Sequence, residues 1–275
     1  MLTAASIPDN RCGIERTARL SAQERALYRW VIDRFARATP PTVRQLVEQA
    51  HALALDAEVA LAALAREDLV HTDEDGAPTV AYPFSAQARG HEVALDARVV
   101  QAMCAIDALG IAAMLQRPIE VRSHDPISDT KICVHANPDG VTDWQPETAV
   151  VLAGSSSCEG PSYCGCCDVL NFFESTETAQ RYLREHPGVK GMQISIQDAA
   201  AAGRAIFGAI LGEMSSCRRR STAASWHGCC TTSKHSSSRY CRRTSTRTST
   251  FPARSTSRSR RSTPRTQRSS IQRGR

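Results

Sequence analysis

Residues 99–116 read VVQAMCAIDALGIAAMLQ, set between Arg98 and Arg117. The run is long and apolar enough to predict one mostly buried helix over 99–116, the element around which the rest must pack. It carries a single charged residue, Asp107, and a single thiol, Cys104. At i and i+3 the two share one face of a helix. A carboxylate buried in such a helix is costly to keep ionised, so its neutral form should be favoured. A thiol beside a carboxyl that can hold a proton points to soft-metal or covalent chemistry with an acid at hand. Cys104 alone reads equally as a structural thiol, because free cysteine is among the most buried residue types; Asp107 at this spacing argues against that reading.

Downstream, Pro118 stops the helix, and IEVRS (119–123), KICVHA (131–136) and AVVLAG (149–154) read as strands. Asn137 to Gly140 reads as a turn. A loop over 155–175 carries Cys158, Cys164, Cys166 and Cys167. The segment TETAQRYLREH (176–186) predicts a helix closed by Pro187 and Gly188, MQISI (192–196) a strand, and Asp198 the cap of a last helix ending near Leu211. Upstream, Ser21 with Glu24 forms a capping-box pattern before one helix. Thr42 opens a second, Asp56 caps a third, and the extended APTVAYPF (77–84) follows a turn at 71–76. The expectation is an α+β protein: a winged-helix-like three-helix unit over 1–85, a helix-flanked antiparallel or mixed sheet over 86–213, and a tail over 214–275.

Winged-helix units often bind DNA through their third helix. Here that helix offers only Arg66 as a base against Glu58, Glu67 and Asp68, so phosphate attraction is poor and a packing or lid role is expected. Charge divides the chain. Of 34 basic and 28 acidic residues, sixteen basic and no acidic ones follow Glu213, leaving eighteen against twenty-eight in 1–213. The tail is mostly Arg, Ser and Thr, lacks apolar periodicity, and reads as disordered. It is either a basic arm for nucleic acid or, the favoured reading, what a GC-rich gene yields out of frame. Activity is therefore expected to reside in 1–213. No secretory signal or charge-free apolar span is visible. With seven of the eleven cysteines in 1–213 and four of those bunched at 158–167, reduced, reactive or metal-binding thiols in the cytoplasm are expected rather than disulfides.

Those four cysteines lack the paired knuckles of a tetrahedral zinc site. A soft ion held by one loop thiolate and Cys104 fits them better. Cys-Ala-Ile-Asp at 104–107 in an apolar helix, the Ile119–His124 strand, and a Cys five residues before Phe172-Phe173 together resemble the organomercurial (alkylmercury) lyase family over about residues 20–212. The helix trio and the AYPFS segment (81–85) resemble that family's N-terminal part. The resemblance implies Cys104 and Cys167 as catalytic thiols that hold mercury and Asp107 as the catalytic acid, with no organic cofactor. It also implies external thiols for turnover, and hand-off of Hg(II) to cellular thiols and a mercuric reductase in mercury detoxification. Cys164 and Cys166 are further candidate mercury ligands. The chain departs from the pattern at Asp125, where the family often has Cys after Ser-His, and in the extra Cys158, Cys164 and Cys166. Two rival readings remain open: a winged-helix metal sensor that binds DNA, and a soft-metal-binding relative without turnover. Asp107 separates them, since a sensor needs no buried acid beside its thiol.

Overall fold

The structure, a computed structural model, describes residues 13–156 and 166–211. The tail and the cysteines at 158 and 164 lie outside the described residues. Helix α1 (Gly13–Ala18) precedes α2 (Ala22–Ala36), α3 (Val43–Ala52) and α4 (Ala57–Arg66). The predicted caps close them. Ser21 and Thr42 each make the reciprocal capping box, with Glu24 and Gln45, and the Asp56 carboxylate accepts from Val59 N at 3.0 Å. Each cap satisfies amides that the first helical turn leaves without partners.

Strands β1 (Val70–Thr72), β2 (Pro78–Ala81) and β3 (Phe84–Ser85) follow. They are not a free wing. With β4 (His91–Leu95), β5 (Arg98–Ala102), β6 (Ile119–His124), β7 (Lys131–Asn137) and β8 (Gly140–Gln145) they form one eight-stranded sheet, ordered β1-β2-β3-β5-β4-β6-β7-β8. The three-helix unit packs on this sheet: Tyr28 of α2 donates its hydroxyl to the Tyr82 carbonyl at 2.8 Å. A second sheet orders β10 (Phe172–Phe173), β9 (Val150–Ser155) and β11 (Lys190–Ser195). Every pairing in both sheets is antiparallel.

The stretch 99–116 is half strand and half helix, which corrects the single helix expected there. Arg98–Ala102 pairs with His91–Leu95 through a two-residue turn, in which Asp96 takes a left-handed φ of 53°. Aspartate tolerates that conformation, and β-branched Val99 and Val100 suit the strand. Helix α5 runs only from Ala105 to Leu115, with Cys104 as its N-cap and ten of its eleven residues buried. Gln116, left-handed at φ 54°, ends it before Pro118.

Among the described residues two further helices follow, α6 (Thr176–Glu185) and α7 (Ile196–Phe207). Ser195, not Asp198, caps α7: its hydroxyl accepts from Asp198 N at 3.0 Å and donates to the Asp198 carboxylate at 2.8 Å. Helices α5 and α7 touch backbone to backbone. A Cβ on Gly203 would fall 2.6 Å from Ile106 O and 2.9 Å from Gly110 Cα, so only glycine fits this crossing. The crossing clamps α5 from Ile106 to Gly110, the turn that contains Asp107.

Candidate functional site

Three segments distant in sequence meet at the start of α5. Met103 N donates to Pro83 O at 3.0 Å, tying the residue before Cys104 to the turn after β2. Ala105 N donates to Leu170 O at 2.8 Å, tying the residue after it to the turn that carries Cys167. That turn is closed by Val169 N and Leu170 N on Cys166 O, both at 3.0 Å, and runs directly into Phe172-Phe173 of β10, both fully buried. The Cys104 and Cys167 sulfurs and an Asp107 carboxylate oxygen consequently lie within 4.8 Å of one another. Cys167 Sγ is 3.7 Å from Asp107 Oδ2 and 3.7 Å from the Tyr82 hydroxyl. The trio is at most 2% exposed.

As N-cap, Cys104 accepts from Asp107 N through its sulfur at 3.4 Å. The sulfur therefore sits where the aligned amides of α5 favour negative charge. Burial, with the Cys167 thiol next in effect, pushes the Tyr82 phenol far above its usual range; burial does the same to Tyr28. Both phenols stay protonated at any working pH. The donor set suits a soft cation, since two sulfurs select such an ion over the oxygen and nitrogen donors around them. The carboxyl within reach of one sulfur can take up or return a proton. Of the loop cysteines within the described residues, Cys167 faces this group, while Cys166 is half-buried and stands outside it.

The alkylmercury lyase family model matches residues 84–208, the stretch from β3 to the end of α7. Residues 84–208 are similar to the alkylmercury lyase family. Curated alkylmercury lyases from Bacillus cereus and Clostridium butyricum are each 29% identical over 114 residues, 42% of this chain. The match spans about half, 51%, of those two relatives' length. The alkylmercury lyase of Streptomyces lividans is 28% identical over 185 residues, 67% of this chain and 83% of that protein. The fold is that of a solved structure described as the mercury-bound form of MerB2, with TM-score 0.61 and 19% identity over 74% of this chain and 98% of that one.

Within the matched residues the departure at Asp125 has a structural explanation. Asp125 is buried, its Oδ1 accepts from Ile127 N and Ser128 N, and its Oδ2 accepts from Glu174 N at 2.8 Å. A carboxylate pins the end of β6 to the junction between β10 and α6.

Three residues at the site escaped the sequence reading. Tyr82 reaches Cys167 from the turn between β2 and β3. His91 sits under Phe172, ring centroids 5.8 Å apart, with Nδ1 3.0 Å from Ser123 Oγ. Because Ser123 donates to Gly90 O, it receives from His91. Burial lowers the His91 pKa to about 4. Arg89 pairs with Asp168, the residue after Cys167. An aromatic-proline dipeptide in APTVAYPF was the one available signal for Tyr82; nothing local marked His91 or Arg89.

Proposed function

We propose that this protein cleaves the carbon–mercury bond of organomercurials R–Hg⁺ by protonolysis, releasing a hydrocarbon and leaving Hg(II) on two sulfurs. The observation that carries this reading is the buried convergence of Cys104, Cys167 and Asp107 within 4.8 Å. Mercury, a soft ion, exchanges onto the sulfurs. Asp107 accepts the proton of one thiol, Cys167 being 3.7 Å away, while the second thiol proton leaves to solvent. Two thiolates push electron density onto mercury, the Hg–C bond breaks, and the Asp107 proton is delivered to carbon. Mercury remains Hg(II) throughout, so no electron donor is needed. The permanently protonated Tyr82 hydroxyl holds the Cys167 sulfur by a hydrogen bond while charge builds there.

Hg(II) then leaves to external thiols, and from them to a mercuric reductase. The chemistry requires reduced cysteines and thus the cytoplasm. Among the described residues no helix is long and apolar enough to cross a membrane. The test is to incubate the full chain and excess thiol with phenylmercury and to measure benzene. Benzene in molar excess over protein is expected; stoichiometric capture of phenylmercury with no benzene would leave only a mercury binder.

A further inference from the structure

Tyr82, whose hydroxyl meets the Cys167 sulfur at 3.7 Å, lies just before the matched residues 84–208 and is gripped from two sides. One side is α2. Tyr28 donates its hydroxyl to the Tyr82 carbonyl at 2.8 Å, and Phe35, two turns further along the same helical face, stacks on Phe84 with ring centroids 6.5 Å apart. The other side is the start of α5, where Met103 N, one residue before Cys104, donates to Pro83 O at 3.0 Å. Tyr82 N donates to Leu69 O at 3.0 Å and fixes the entry to this segment. Residues 82–84 thus form a strap between α2 and the helix that carries Asp107. Tyr28, Phe35, Tyr82 and Phe84 are each at most 2% exposed.

We propose that Tyr28 is a positioning residue for the buried trio, and that the three-helix unit is thereby built into the reaction. Its hydrogen bond holds the Tyr82 carbonyl, and through the strap it aims the Tyr82 hydroxyl at the Cys167 sulfur. The lever is short, because the bonded carbonyl and the phenol share one Cα. The hydroxyl has a use where it points. Once the Cys167 proton has passed to Asp107, 3.7 Å away, the buried thiolate needs a donor that water cannot supply. Tyr82 is that donor, and both phenols keep their protons throughout. Without the Tyr28 hydroxyl the buried Tyr82 carbonyl loses this donor, and the strap is free to shift in search of another. The inference rests on the proposed cleavage at this site. It adds a residue of α2, outside the matched stretch, that sets the geometry of the second sulfur.

The test compares single-turnover benzene release from phenylmercury in the full chain, Tyr28→Phe, Tyr82→Phe and the double variant, each checked for a cooperative melting transition. Tyr82→Phe should slow release by about tenfold or more, the usual weight of a hydrogen bond to a charged group. Tyr28→Phe should slow it about 2–10-fold, the weight of a neutral hydrogen bond. It should add nothing in the double variant, because its effect passes through the Tyr82 hydroxyl. A merely structural Tyr28 would lower the melting temperature but leave release unchanged, or reduce it by the same factor with and without the Tyr82 hydroxyl. Either result would overturn the proposal. Iodoacetamide labelling of Cys167, read by peptide mass spectrometry, keeps this test apart from the cleavage reading. If the parent releases no benzene, that reading falls and labelling decides the role of Tyr28. Loss of the donor to the thiolate should slow labelling in both single variants, with no further slowing in the double one. A loosened core does the opposite and exposes the sulfur, so faster or unchanged labelling in Tyr28→Phe would equally overturn the proposal.

Discussion

Cys104 and Asp107 are related as N-cap and third residue of a buried helix, with Asp107 N donating to Cys104 Sγ at 3.4 Å. The backbone that starts α5 thus fixes the sulfur and, three residues on, aims the carboxyl at the second sulfur, Cys167, 3.7 Å away. The Cys104 side chain cannot move far without breaking the cap.

Because only Cys167 of the vicinal pair faces Asp107, the two neighbours should behave differently. Cys104→Ala and Cys167→Ala should each abolish benzene release from phenylmercury, since a lone sulfur cannot both hold and activate mercury. Cys166→Ala should keep most activity. An inactive Cys166→Ala beside an active Cys167→Ala, in steady-state assays on folded protein, would refute the assignment.

Gly203→Ala should destabilise without touching the chemistry directly. The new methyl meets backbone at 2.6–2.9 Å, which no rotamer change relieves. Overpacking of this kind costs about 1–3 kcal/mol, visible as a lower midpoint in urea. An unchanged midpoint would show that α5 and α7 can separate freely.

His91 supplies a pH dependence. Its pKa falls from 6.5 to about 4 on folding, first through burial and further through Arg89, against an opposing hydrogen bond to Asn171. The unfolded state therefore binds the proton more readily. The stability from keeping this imidazole neutral is complete above pH 6.5 and is lost as pH falls toward 4. At about 1.4 kcal/mol per unit, going from pH 7 to pH 5 should cost about 2 kcal/mol through His91 alone. Urea unfolding of His91→Asn should show a correspondingly shallower fall, and identical pH dependence in parent and variant would contradict the assignment.

What the sequence disclosed and what it hid follow from range. Ser21 with Glu24 and Thr42 with Gln45 are local signals, and the caps they predict are present. Val99 and Val100 were absorbed into a helix because an apolar run does not by itself distinguish strand from buried helix. The turn that separates them from β4 rests on Asp96 without a neighbouring glycine. Asp198 reads as the cap from sequence because both short polar side chains fit the pattern, and only the hydrogen bonds give the role to Ser195. At the site, the order and spacing of Cys104, Asp107 and Cys167 were legible as a family pattern. Tyr82 was not, because its role depends on β2 and β3 folding back over the start of α5. His91 depends likewise on the pairing of β4 with β6.

The central claim is that Asp107 delivers the proton that frees the hydrocarbon. Asp107→Asn keeps the size and polarity of the side chain but has no transferable carboxyl proton. In a single-turnover experiment with phenylmercury, the variant should capture mercury on Cys104 and Cys167 in the same stoichiometry as the parent. Benzene release should fall by at least about 10²–10⁴-fold, the usual contribution of a positioned acid–base group, with the melting transition showing a folded protein. Benzene released at the parent rate by folded Asp107→Asn would remove the carboxyl from the mechanism and contradict the account.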